Sequence, residues 1–260
     1  MTVIRDIPLS LTMEHVLRRQ GMGDISAVSP KILALSRELL EEAATLQSLE
    51  PAIAYEFCPV KKINDGGARL QGHIFLKTDL LQKRLPFASE LAAIVCTIGP
   101  QLERKVTDYF AHDEPLHGVL LDGIGNAAVD TLAQEACRMI GVLAESRGNE
   151  SSSPFSPGMP GFPLSEQRAL CRIAKAGQIG VHLSKSAMMI PRKSISMIVG
   201  IGPQMPTWTK AQVCAECTLK KTCRYKVDGL VKSPSIPHSG RVRVVPRCAG
   251  LNSLQMAGEG

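Results

Sequence analysis

A chain of 260 residues is long enough to bury a sizeable core in one large domain, or in two small ones sharing an interface. With 44% hydrophobic, 21% charged and 4% aromatic residues it has the composition of a folded globular protein, which excludes disordered and fibrous classes. The net charge of +6 is mild, no window nears the roughly 18 apolar residues of a membrane span, and MTVIRDIPLS lacks the pattern of a signal peptide, so a cytoplasmic protein without a membrane partner is expected.

The first clear element is a helix starting at Ser29-Pro30, a capping hydroxyl followed by proline at the first helical position. Ile32, Leu35, Leu39, Ala43 and Leu46 follow at steps of three and four, which makes one buried stripe. Residues 52–58 and 68–76 read as strands separated by the turn Asn64-Asp65-Gly66-Gly67. Glu90 to Thr97 is apolar enough for a buried strand, and Gln101 to Phe110 reads as helix. The spacing from Pro115 to Ala144 predicts a long helix, with a break expected near Gly123 and Gly125. The pattern Gly123-x-Gly125-x-x-Ala128 invites a dinucleotide reading, which fails because no strand precedes it and the glycines fall inside a helical period.

Composition changes at Asn149. Gly148 to Ser153 reads as a linker, whereas residues 154–163 combine prolines with Gly158 and Gly161. Glycine lets backbone approach a ligand closely, and proline stiffens a loop so that less entropy is lost on binding. A helix is predicted over 164–175, with Ser165 and Glu166 at its positive end, a suitable neighbour for an anionic group.

The eight cysteines fall into two groups. Cys58, Cys96, Cys137 and Cys171 lie in apolar periods and are expected to be small buried hydrophobes. Cys214-x2-Cys217-x5-Cys223 has the spacing of a metal site, with Cys248 the fourth candidate ligand and His238 the alternative. Because a cytoplasmic chain keeps its thiols reduced, a metal is expected there rather than a disulfide framework, either an iron–sulfur cluster or structural zinc. The basic groups Lys220, Lys221, Arg224, Lys226 and Arg241, Arg243, Arg247 have only Tyr225 among them as an aromatic residue that could stack bases. An acidic partner protein suits them better than nucleic acid.

One set of motifs is more specific. Ser156-Pro157-Gly158 is followed by Phe162-Pro163-Leu164-x-Glu166-Gln167, and then by Ile179-Gly180-Val181-x-Leu183-Ser184-x-Ser186-x-Met188-Met189-x-Pro191-x-Lys193-Ser194. Together with Cys96-Thr97-Ile98-Gly99 and the helix around Asp130, these make residues 30–205 resemble the activation domain of cobalamin-dependent methionine synthase, in its free-standing form. The resemblance implies an α/β (α+β) fold, a twisted antiparallel sheet wrapped by helices, over residues 1–205, with 206–260 as an added cysteine-rich segment. It implies binding of S-adenosylmethionine (AdoMet) through Ser156, Pro157, Gly158 and Met159, with Asp130 accepting from the ligand's amino group and Ser186 and Met188 as further contacts.

Domains of that family dock on a cobalamin protein whose cobalt has been oxidised to cob(II), and an electron plus the AdoMet methyl group restore methylcobalamin. No cobalamin-binding Asp-x-His-x-x-Gly occurs here, so the corrinoid is expected on a partner, with an electron-donor protein as a further partner. The family loop carries an arginine two residues before the Ser/Ala-Pro-Gly and a tyrosine just after it; Pro154 and Met159 stand in those places. Lys193, Arg192 and Arg168 are candidate replacement cations. The expected function is partner-dependent corrinoid reactivation. The alternative is a metal-bearing module that escorts a corrinoid or folate-pathway partner without binding AdoMet, while an independent methyltransferase is disfavoured because no general base or nucleophile is evident.

Overall fold

The computed structural model describes residues 1–20, 22, 25–45, 48–64, 66–217, 220–223 and 241–244. Leu46, Asp65, Arg224, Lys226, His238, Arg247 and Cys248 lie outside them. The chain opens with β1 (Thr2–Arg5), β2 (Leu9–Thr12) and α1 (Met13–Arg19). Helix α2 (Pro30–Thr45) starts where the capping signal places it, with the Ile32 amide donating to Ser29 Oγ at 3.4 Å. Of its predicted stripe, Leu39 and Ala43 are buried and Ile32 and Leu35 pack against the core.

Strand β3 (Ala52–Asn64) runs further than expected, and the second predicted strand divides into β4 (Gly67–Leu70) and β5 (Phe75–Lys77). The division comes at Gly72 and His73, both with positive φ, which reverse the chain where the apolar pattern alone reads as continuous. Helix α3 (Leu80–Arg84) follows, then β6 (Glu90–Thr97), α4 (Gln101–Ala111) and α5 (Pro115–Glu145). Beyond them come β7 (Glu150–Ser151), α6 (Gln167–Ile173), the hairpin β8 (His182–Leu183) and β9 (Met189–Ile190), β10 (Ser194–Gly202), α7 (Lys210–Glu216) and β11 (Arg241–Val244).

The main sheet is antiparallel and curled, in the order β5-β4-β3-β6-β10-β7, with β1 added against β3. This is the α/β architecture that the resemblance implies. Central strand β6 lies between β3 and β10, Ile94 opposite both Tyr55 and Met197. Its alternate residues face two different cores, which is why it reads as one continuous apolar run. Ala92, Ile94 and Cys96 meet α5 together with Met197 and Val199, whereas Leu91 and Ala93 meet Ile198, α3 and α6 on the other side. Each large aliphatic side chain buried here contributes about 1.5–3 kcal/mol. Strand β11 pairs with β2, Arg241 opposite Thr12, which returns the basic carboxy-terminal segment to the start of the chain.

Helix α5 is unbroken, contrary to the break expected at Gly123 and Gly125. Both glycines are places where another side chain crosses the helix. A Cβ on Gly123 would strike the Gln20 side chain, and one on Gly125 would lie 2.7 Å from Leu102 Cδ2 and 3.2 Å from Lys193 Cε. Packing on both sides overrides the weak helix propensity of glycine. The Lys193 stem passes Gly125 so that its ammonium donates to Asn126 Oδ1 at 2.8 Å and pairs with Asp122 Oδ1 at 2.6 Å. Gly125→Val is therefore expected to destabilise the fold by about 1–3 kcal/mol through overpacking, read from equilibrium denaturation.

Of the apolar-period cysteines, Cys58 and Cys96 are buried and Cys137 and Cys171 partly so. Loss of water around the thiol pushes Cys137 and Cys171 each up to about 11, and raises Cys58 and Cys96 as well. A raised thiol stays protonated, hence unreactive, below that range. At pH 8 in the folded protein, alkylation followed by peptide mass mapping should leave these four unlabelled, and all four should react once the chain is unfolded in denaturant.

Candidate functional site

The proline–glycine loop begins where Phe155 makes an isolated bridge with Ile198 of β10, its amide donating at 2.9 Å and its carbonyl accepting at 2.8 Å. Phe155 is buried against Trp208, ring centroids 4.3 Å apart, so the entry to the loop is anchored by packing as well. Two turns then fold the loop on itself: the Met159 amide donates to the Ser156 carbonyl at 3.1 Å and the Phe162 amide to the Met159 carbonyl at 2.9 Å. The Gly158 amide closes the hook by donating to the Phe162 carbonyl at 2.8 Å. Gly158 (φ 94°) and Gly161 (φ 81°) both take left-handed backbone that a side chain would strain.

The far side of the loop is fastened to the junction of β5 and α3. Thr78 Oγ1 donates to the Gly161 carbonyl at 2.8 Å, and the Asp79 amide donates to the same oxygen at 3.1 Å. The Lys77 amide donates to Glu166 Oε2 at 3.1 Å. Between loop and junction lies an open pocket of about 340 Å3, lined by Lys77, Thr78, Asp79, Gly158, Met159, Gly161 and the segment from Phe162 to Leu164. That volume is at the low end for small-molecule sites.

Of the residues expected to bind a ligand, Gly158 and Met159 line this pocket, and Ser156 and Pro157 form the turn behind it. Met159 Sδ lies 3.2 Å from the Ser156 amide, folded back over that turn. Ser186 and Met188 belong to the neighbouring hairpin β8–β9, where Ser184 Oγ bonds Ser186 Oγ at 3.0 Å and accepts from the Met188 amide at 3.0 Å. Gln167 and Arg168 of α6 hold that hairpin, donating to the Ala187 carbonyl at 2.7 Å and the Lys185 carbonyl at 2.5 Å. Leu164, Met188 and Ile190 leave 49%, 57% and 42% of their surface exposed.

Asp130 stands elsewhere. It projects from α5 toward α1, bonded to His15 Nε2 at 3.1 Å and Gln134 Nε2 at 2.8 Å and paired with Arg19. The loop packs on the opposite face of the sheet, so Asp130 holds two helices together there. Nor do the candidate replacement cations reach the pocket: Lys193 is committed to Asp122 and Asn126, Arg192 lies 3.9 Å from Glu103, and Arg168 clamps the hairpin. Lys77 and Asp79, which periodicity does not mark, are the charged residues that line it. The helix predicted over 164–175 is shorter, a 3-10 turn at Leu164–Glu166 followed by α6, ending before Lys175 at φ 51°.

A larger hollow of about 770 Å3 lies by the 71–74 turn and the end of α6, lined in part by Cys58, His73, Arg172 and Lys175. Arg172 falls in the last turn of α6, where a cation offsets the carbonyl end of the helix. Cys214 and Cys217 sit at the end of α7, the Cys217 amide donating to the Cys214 carbonyl at 3.2 Å. Among the described residues no three His, Cys, Asp or Glu side chains come together as metal ligands, so Cys214, Cys217 and Cys223 do not form the expected centre by themselves. No helix among the described residues is long and apolar enough to cross a membrane.

No family model matches the chain, and no curated protein matches it. Among solved structures it is similar to a crystal structure of the MetH reactivation domain bound to AdoHcy, with a TM-score of 0.56 and 11% identity over 85% of this chain and 86% of that one. At that identity the likeness is one of architecture, and function has to be argued from the site. The chain carries the fold of the MetH reactivation domain.

Proposed function

We propose that this protein is a partner-dependent reactivation factor, which binds AdoMet at the hook of residues 156–163 and presents it to a cobalamin-bearing protein. The observation that carries the reading is the hook itself, a glycine-built loop pinned to β10 at one end and to the β5–α3 junction at the other, walling a pocket of ligand size. Its support from outside is the shared fold with a domain that holds AdoHcy, the demethylated form of the same ligand.

AdoMet supplies an electrophilic methyl group, which together with one electron from a separate donor converts cob(II)alamin to methylcobalamin and leaves AdoHcy. The residues around the pocket contribute placement. The two turns of the hook hold its backbone before the ligand arrives, which lowers the entropy lost on binding. Leu164, which lines the pocket and is half exposed, offers an apolar edge suited to excluding water when a partner covers the site. Methyl transfer of this kind moves no proton at the protein, so the role of the pocket residues is placement.

A metal at Cys214, Cys217, Cys223 and Cys248 remains a separate proposal that rests on spacing, and no step above passes through it. Metal analysis and visible absorption of anaerobically purified protein test it. Iron with a sulfide-to-iron absorption band, or zinc without one, is expected to disappear in Cys217→Ser, and absence of both metals from the unaltered protein removes the proposal.

Titration calorimetry with AdoMet tests the main reading. Binding should also raise the melting temperature, by the equivalent of about 2.7 kcal/mol at a ligand concentration one hundred times Kd. Neither heat nor a shift at millimolar AdoMet would leave the escort reading in its place. Gly158→Val puts a branched side chain where φ is 94°, a strain of about 1–3 kcal/mol that the loop relieves by leaving its binding shape. Its AdoMet affinity should fall about five- to 150-fold with the circular dichroism spectrum unchanged.

A further inference from the structure

We infer that Lys77 and Asp79 set the specificity of the pocket, Lys77 taking the carboxylate of a sulfonium amino acid and Asp79 its ammonium group. The inference rests on the reading of the hook as the AdoMet site. In the order Leu76, Lys77, Thr78, Asp79 the side chains alternate, Leu76 and Thr78 buried and Lys77 and Asp79 exposed. The inward Thr78 hydroxyl and the Asp79 amide both donate to the Gly161 carbonyl, so the backbone that carries the two charged side chains is fixed against the loop.

Asp79 precedes α3, where an aspartate ordinarily caps the helix, yet its carboxylate makes no cap hydrogen bond. Neither Asp79 nor the Lys77 ammonium has an ion-pair partner among the described residues. The charges also match in number. The amino-acid portion of AdoMet carries one ammonium and one carboxylate, while Asp79 and Lys77 present one negative and one positive group at the pocket wall. Pro154 leaves no arginine at the head of the loop, and Lys77 offers a compact cation from the opposite wall in place of a planar fork.

The test is calorimetry on the full chain with three ligands: AdoMet, decarboxylated AdoMet, and 5′-methylthioadenosine, which lacks the whole amino-acid portion. Lys77→Met should weaken AdoMet about tenfold and leave the other two unchanged, since a charge-assisted contact is lost only where the carboxylate exists. Asp79→Asn should weaken AdoMet and decarboxylated AdoMet by a similar factor and leave 5′-methylthioadenosine unchanged. Unaltered AdoMet affinity in both variants, or equal losses for all three ligands, would overturn the assignment of these side chains while the AdoMet reading stands. A wild-type chain that binds none of the three would overturn that reading and this inference with it.

Discussion

The pairing of Phe155 with Ile198 fixes where the proline–glycine hook leaves the sheet. Up to Ser152 the chain follows the edge of β10, the Ser152 amide donating to the Gly200 carbonyl at 2.9 Å. At Phe155 one last reciprocal pair of hydrogen bonds, buried under an aromatic stack, ends that alignment and sends the chain out as a hook. A loop leaving a strand at a defined residue inherits the position of the sheet. The sheet in turn is held by β6, whose two faces are closed by separate cores.

That arrangement divides labour between the faces. The α5 side holds the bulk of the helices and such polar ties as Lys193 with Asp122 and Asp130 with Arg19. The other side carries the hook, the β5–α3 junction, α6 and the small hairpin β8–β9. Burial there is enough to fix backbone yet leaves Leu164, Met188 and Ile190 uncovered. Large rigid elements stand behind a thin functional layer, the usual condition for loops that bind ligands with little rearrangement.

Elements with strong periodicity were legible in the sequence: α2 with its serine cap, β6, α4 and the extent of α5 all stand where the pattern puts them. The hook was legible too, because proline and glycine act locally. What escaped was decided by contacts between distant residues. Nothing near Gly123 or Gly125 announces that Gln20 and Lys193 cross the helix there. Asp130 reads as a ligand contact on resemblance, and only the layering of the sheet shows it facing α1. Lys77 and Asp79 sit in a stretch that reads as an ordinary strand end, and they become neighbours of the hook only through the shared carbonyl of Gly161.

That carbonyl has a mechanical consequence. One oxygen receives both the Thr78 hydroxyl and the Asp79 amide, so the hook and the β5–α3 junction are latched together. A force applied to the hook by a protein settling over it is passed through these two hydrogen bonds to that junction. Whatever presses on this surface therefore shifts both walls of the pocket in concert, and the gap between them keeps its width.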